Sequence, residues 1–190
     1  GWSLKDIINN GDAESIKKTN IAQPYIFAIS YCYGLEVINN YGKPSALIGH
    51  SLGEYTALAL SGFFDYTDAL KVISARGEAM QASVENSNTG MAAVLTTDLE
   101  ATLKEIEALN SQDIEVWISN YNDASQIVIS STIENLEYLK SNSKALSARR
   151  VIPLEVAGAF HSKIVSPAKP ELAAAFEEVT LKDGSIPVYM

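Results

Sequence analysis

The hydrophobic positions of this chain change period several times, and each change marks an element. In "TNIAQPYIFAISYCYGLEVINNYG" the residues Ile26, Ile29, Tyr33 and Val37 recur at spacings of three and four, the period of one helix face. Thr19 or Asn20 can cap that helix, Pro24 falls in its first turn, and Gly42 closes it. The short apolar run "SALI" then fits a strand covered on both faces. "LGEYTALALS" returns to the helical period and stops at Gly62, a residue that accepts the left-handed backbone of a helix end. A further helix starts between Asp65 and Asp68 and runs to about Val84, with Ala69, Val72, Ile73, Arg76 and Met80 on one face.

The polar stretch "ENSNTG" over 85–90 interrupts the pattern and reads as a domain boundary. Beyond it the periods predict a strand over 91–96, a helix over 98–109, strands over 114–120 and 126–130, a helix over 132–142 and a strand over 149–156. That order, β-α-β-β-α-β, is the ferredoxin-like arrangement. "GAFHSKIVSPAKPELAAAFEEV" follows as a loop and a helix. The expected fold is therefore α/β: a hydrolase-like core with a parallel sheet and a nucleophile elbow, carrying an inserted ferredoxin-like subdomain. The expected boundaries are 1–87 for the large subdomain, 88–156 for the small one and 157–190 for the return to the large one. Residue 1 is Gly, and the chain closes on the strand-like "SIPVYM", so further parts of the large subdomain are expected at both ends.

Composition narrows the function classes. A net charge of −9, from 14 basic and 23 acidic side chains, excludes a phosphate-tracking nucleic-acid binder. No apolar run reaches the roughly 20 residues of a membrane span. The chain has one cysteine, Cys32, which cannot form an internal disulfide and fits the reducing cytoplasm. An anionic substrate would need a specific local cation in so acidic a protein.

The candidate chemistry centres on "GHSLG", residues 49–53. G-x-S-x-G between an apolar strand and a helix is the nucleophile-elbow pattern, in which a sharp turn lifts the Ser hydroxyl clear of the sheet and the glycines admit close backbone approach. Ser51 is the candidate nucleophile, and the N–H of Leu52, at the helix start, is placed to stabilise an oxyanion. A Ser hydroxyl needs a base, and the chain has two histidines. His50 adjoins Ser51, and neighbouring side chains at a sharp turn point apart, so it is a candidate for substrate contact rather than for proton transfer. His161, in the Gly-containing loop "VAGAFHSK", is the candidate base. Arg76 stands on an apolar helix stripe, where a guanidinium is costly unless paired, and its two-pronged donor set matches a carboxylate. From the residues alone, Arg76 could instead pair with Glu54 or Glu78, or reach solvent.

In this order, "GHSLGEYTAL", "ARGEAMQ", "NYNDASQIVIS" and "GAFHS" resemble the acyltransferase domains of polyketide synthases and the malonyl-CoA:acyl-carrier-protein transacylases of fatty-acid synthesis. The resemblance covers nearly the whole chain. It implies a Ser51 malonyl ester, His161 as base and then acid, Arg76 on the malonyl carboxylate, and the Leu52 N–H as half of an oxyanion hole. It also implies that Phe160, before the His, favours malonyl over methylmalonyl by filling the space of an α-methyl branch. The partners implied are malonyl-CoA, a phosphopantetheine-bearing acyl carrier protein and other polyketide synthase domains, with no cofactor or metal. The run "GAFH" looks most like acyltransferases that serve an assembly line from a separate polypeptide. The Gln that completes the oxyanion hole in this family is expected before residue 1, and the carbonyl that orients the His beyond residue 190.

Four rival readings stand beside this one. An acyl hydrolase of the same superfamily tends to lack the carboxylate-binding Arg. A Ser-Asp-His esterase would need Asp98 or Asp113, both in the inserted subdomain. A patatin-like dyad would use Asp183 in "KDGS" and leave Arg76 and His161 idle. An inactive carrier-protein docking module would not need an intact Ser51, His161 and Arg76. By charge alone Lys144, Arg149, Arg150, Lys163 and Lys169 are candidate carrier-protein contacts.

Overall fold

A computed structural model describes residues 3–11 and 13–190. The elements are α1 (Leu4–Asn10), α2 (Ala13–Lys17), α3 (Thr19–Tyr41), β1 (Leu47–Ile48), α4 (Leu52–Ser61), α5 (Tyr66–Val84), β2 (Thr89–Thr96), α6 (Leu99–Asn110), β3 (Trp117–Asp123), β4 (Gln126–Thr132), α7 (Ile133–Ser141), β5 (Ala148–Pro153), α8 (Ala168–Glu177) and β6 (Val188–Tyr189). They divide into two compact units, one of residues 1–81 and 168–190, the other of residues 82–167.

In the first unit β1 and β6 pair in parallel, Leu47 opposite Val188 and Ile48 opposite Tyr189. The strand is not covered on both faces, since Ile48 is 81% exposed. The core is aromatic and helical: Phe27, Phe64, Ala69 and Ile73 are enclosed, and the Phe27 and Tyr66 rings stack at 5.5 Å. Gly34 brings α3 against α4, because a Cβ there would stand 2.4 Å from Leu60 Cδ1. The stripe Ile26, Tyr33 and Val37 that the period picked out on α3 stays exposed, and the buried face carries Gln23, Phe27 and Ala28 instead. Periodicity identifies a helix but cannot say which of two part-apolar faces its neighbours will cover.

The start of α3 also differs from expectation. Lys18 occupies the cap position without a side-chain bond, and the Thr19 N–H donates to Gln81 Oε1 on α5 at 3.0 Å. A side chain from a neighbouring helix thus satisfies one of the orphan donors that a local cap would have taken. Pro24 lies inside the helix. Gly42 (φ 84°) and Gly62 (φ 88°) end α3 and α4 as expected.

The second unit is an antiparallel sheet of order β3-β4-β2-β5, the ferredoxin-like order, with α6 and α7 on one face. Ala92, Val94, Ile127, Ile129, Leu139 and Leu146 are wholly enclosed between sheet and helices. Each large aliphatic side chain there contributes about 1.5–3 kcal/mol by leaving water. Asp98 and Thr132 cap α6 and α7, accepting from Ala101 N at 3.0 Å and Asn135 N at 3.2 Å. β3 begins three residues later than its apolar run, at Trp117. The Asn110 side chain holds Val116 through both its N–H (2.7 Å) and its C=O (3.0 Å), which takes that backbone out of the ladder. β5 stops at Pro153.

Residues 157–167, expected to rejoin the large subdomain, cluster with the four-stranded unit. The Leu154 N–H donates to Met91 O, and the Ala159 N–H to Thr89 Oγ1 at 3.1 Å, so the chain beyond β5 stays tied to β2. Among the described residues no helix is long and apolar enough to cross a membrane.

Candidate active site

Ser51 stands between β1 and α4 at the helix cap position, with φ 52° and ψ −108°. An L-residue rarely adopts that backbone, and holding it costs about 1–3 kcal/mol. The turn is tied by Gly53 N–H to His50 O at 3.0 Å and Glu54 N–H to Ser51 O at 3.2 Å. Gly49 is obligatory here, because a Cβ would stand 2.1 Å from Gly53 C and 2.2 Å from Glu54 N. Gly53 is not obligatory, since a Cβ there meets nothing within 4 Å. Only the first glycine of the motif therefore serves close backbone approach. Leu52 opens α4, so its N–H belongs to the unpaired donors at the positive end of the helix dipole. His50 is exposed and, with Ser51, Leu52, Gly53, Ile26 and Leu47, borders an open hollow of about 530 Å³.

Arg76 reaches Ser51 from α5. Its Nη2 donates to Ser51 Oγ at 3.1 Å, its Nη1 donates to Gln23 Oε1, and its guanidinium carbon lies 5.3 Å from the centre of the Tyr55 ring. The side chain is buried, with 8% exposure, on the enclosed face shared with Ala69, Val72, Ile73 and Met80. Among the described residues it forms no ion pair with a carboxylate, so neither Glu54 nor Glu78 neutralises it. Burial lowers the guanidinium's pKa, with Tyr55 and Glu54 opposing that shift. A guanidinium keeps its proton at neutral pH even when buried. Burial likewise raises the pKa of the Tyr55 hydroxyl, against the pull of the Arg76 charge. The arrangement leaves a buried cation, stabilised by an amide oxygen, a hydroxyl and an aromatic face, beside the candidate nucleophile. Such a cation is one carboxylate short of neutrality.

Gln23 and Tyr55 complete this group, and sequence reasoning did not find them. Gln23 is 6% exposed, accepts from Arg76 and donates to Met80 Sδ at 3.4 Å. Gly77 lets α3 come this close, since a Cβ there would stand 3.1 Å from Asn20 Cα and from Thr19 O. The one available signal was Arg76 itself, because a guanidinium on an apolar stripe requires a polar acceptor from a facing helix.

His161 and Phe160 belong to the second unit, whereas Ser51, Leu52, His50 and Arg76 belong to the first. His161 also has a left-handed backbone, φ 55°. Ser162 braces the turn after it, donating to Ala159 O at 2.6 Å and accepting from Ile164 N at 3.2 Å. Gly158 packs against the end of α5, where a Cβ would stand 2.5 Å from Val84 Cβ. The Phe160 carbonyl accepts from Ser119 Oγ and Ser130 Oγ.

Comparison with known proteins places this geometry in a family. Residues 1–190 match the family model described as acyl transferase domain. The malonyl CoA-acyl carrier protein transacylase of Bacillus subtilis (strain 168) is 37% identical over 186 residues, covering 97% of this chain and 58% of that protein. The same organism's polyketide biosynthesis malonyl CoA-acyl carrier protein transacylase PksC is 33% identical over 190 residues, covering 99% of this chain and 64% of the relative. A solved structure of a type II PKS acyl-carrier protein in complex with its malonyl-transacylase superposes with a TM-score of 0.89 at 31% identity, over 99% of this chain and 61% of that one. The chain thus spans about three-fifths of the length of the proteins it matches. With the elbow, the parallel strands and the ferredoxin-like unit in place, the chain belongs to the acyl transferase domain family.

Proposed function

We propose that this chain carries the transfer of a malonyl group from coenzyme A to the phosphopantetheine thiol of an acyl carrier protein, in polyketide or fatty-acid synthesis. In the first half-reaction Ser51 Oγ attacks the thioester carbonyl while His161 takes its proton. The oxyanion of the tetrahedral intermediate is met by the Leu52 N–H. Collapse breaks the carbon–sulfur bond, the imidazolium returns the proton to the departing coenzyme A thiol, and a malonyl ester remains on Ser51. In the second half the carrier-protein thiol attacks that ester, gives its proton to His161 and leaves with the malonyl group, and Ser51 regains its hydrogen. Acyl exchange of this kind needs a nucleophile, a base and oxyanion donors, and asks for no bound cofactor.

Arg76 carries the proposal. Its bond to Ser51 Oγ at 3.1 Å puts a buried cation without a carboxylate partner where the free carboxylate of a malonyl ester, three bonds from the ester oxygen, can reach it. Phe160 is proposed to limit branching at the malonyl α-carbon, and His50 to touch the substrate from the open side of the elbow. The proposed setting is the cytoplasm, in line with the free thiol of Cys32.

The test is intact-protein mass after incubation with malonyl-CoA. A malonyl adduct is expected on Ser51, absent from Ser51→Ala and discharged by a carrier protein bearing its phosphopantetheine arm. Steady release of free malonate to water would make the protein a hydrolase instead. No adduct in a chain extended to the length of its relatives would overturn the proposal.

A further inference from the structure

We infer that Ser119 and Ser130 are positioning residues for His161, their paired hydroxyls holding the Phe160 carbonyl and with it the left-handed turn on which the imidazole stands. The inference rests on the reading of His161 as the base. Ser130 Oγ lies 2.7 Å from Phe160 O, Ser119 Oγ lies 3.1 Å from the same oxygen, and the two hydroxyls are 2.6 Å apart. Two hydroxyls carry two hydrogens, so at most two of these three contacts are donated at once. The shorter contact makes Ser130 the principal donor, and Ser119 either polarises it or shares the carbonyl.

The location argues for a purpose beyond sheet stability. Ser130 is completely enclosed on the sheet face opposite α6 and α7, in register with Met91 and near Val128 and Ala93, all of them buried. An apolar residue would serve a central strand better at that point, because a buried hydroxyl must find a partner or destabilise the fold. Ser119 reaches the same oxygen through a departure from the ladder. Pairing shifts between Ile118 and Asn120, so Ser119 occupies a bulge of the edge strand β3. A bulge re-aims one side chain at the expense of ladder bonds.

The mechanical consequence follows from the peptide bond. The Phe160 carbonyl and the His161 nitrogen share one rigid plane, so anchoring the oxygen fixes the plane from which the imidazole hangs. Rotation about the next backbone bond then sets the direction in which the side chain leaves the main chain, and His161 holds it at φ 55°. Ser162 secures the far side of the turn through Ala159 O and Ile164 N, and Thr89 Oγ1 secures the near side through Ala159 N. Without the hydroxyl pair, a strained left-handed backbone has one anchor fewer against relaxation.

The test compares Ser119→Ala, Ser130→Ala and the double variant by three measurements. These are the imidazole proton resonance of His161, the single-turnover rate of malonyl loading, and thermal unfolding. His50, the second histidine, serves as internal control, with the assignment made in His50→Gln. The His161 resonance is expected to move and broaden while that of His50 stays. Loading should fall about threefold to tenfold in Ser130→Ala, the worth of one hydrogen bond, and less in Ser119→Ala. The half-saturating malonyl-CoA concentration should not change. An unmoved His161 resonance, or a loading loss that only follows the unfolded fraction, would overturn the inference. Should Ser130→Ala fail to fold, Ser119→Ala, on the edge strand, decides alone. If the unaltered protein loads no malonyl group, the proposed function falls, while the resonance still decides whether the hydroxyl pair positions His161.

Discussion

Replacing Arg76 by Ala separates recognition of a carboxylate from the chemistry of acyl transfer. The guanidinium is 8% exposed and already points one nitrogen at Ser51 Oγ, so a malonyl carboxylate would meet it with little solvent between them. Charge-assisted hydrogen bonds contribute about 1.5–3 kcal/mol each, and removing one partner of a buried pair costs about 3–5 kcal/mol. A loss of 3–4 kcal/mol corresponds to a malonyl loading rate lowered about two hundredfold to a thousandfold. Acetyl-CoA offers no carboxylate, so its loading should fall only about tenfold, the low end of what a lost hydrogen bond from a charged group is worth. Arg76→Lys keeps the charge but not the fork, and should fall between the two. The assay is adduct mass against time with each thioester, at matched concentrations and with unfolding followed in parallel. Equal losses for malonyl and acetyl would refute the reasoning and make Arg76 a structural cation held by Gln23 and Tyr55.

Gly49→Ala forces a Cβ to within 2.1 Å of backbone and should cost at least about 3 kcal/mol, a melting temperature lower by roughly 6–12 °C in a chain of this size. Gly53→Ala meets open space in the first turn of α4 and should melt within a few degrees of the unaltered protein, so similar losses in the two would contradict the steric account. Asp68 supplies a pH test. The Thr180 N–H, and then Lys71, hold its carboxyl below the usual carboxylate range. A depressed carboxyl contributes stability above its unfolded pKa and loses it as pH falls through the folded value. Asp68→Asn should therefore be the less stable protein at pH 7, by a gap that closes below about pH 4. Denaturant unfolding at both pH values checks this, and a gap that is constant or widens on acidification would refute it.

What the sequence disclosed followed from local spacing. The elbow was legible because strand, turn and helix are adjacent in the chain, and Arg76 because its neighbours three and four residues away are apolar. The ferredoxin-like order was legible from alternating periods. Facing decisions were not. The exposed stripe of α3 and its buried Gln23 differ by a rotation about one helix axis, which α4 and α5 settle. The anchors of the His161 loop, Thr89, Ser119 and Ser130, lie 70, 41 and 30 residues from the atoms they hold. On strands such side chains look like ordinary small polar residues. The start of β3 was misplaced because the Asn110 clamp on Val116 is a side-chain contact that no apolar period encodes.

Ser51 and His161 both stand on left-handed backbone, at φ 52° and 55°. In a population under selection for heat tolerance alone, these are positions where glycine offers an immediate gain, because relief of strain needs no compensating change elsewhere. If Ser51 and His161 carry the proposed acyl transfer, selection for turnover would reject the same substitutions at once. On the proposed roles, thermal hardening of this domain by random mutagenesis needs an activity screen at every round, or the search will find its first improvements by dismantling the proposed chemistry.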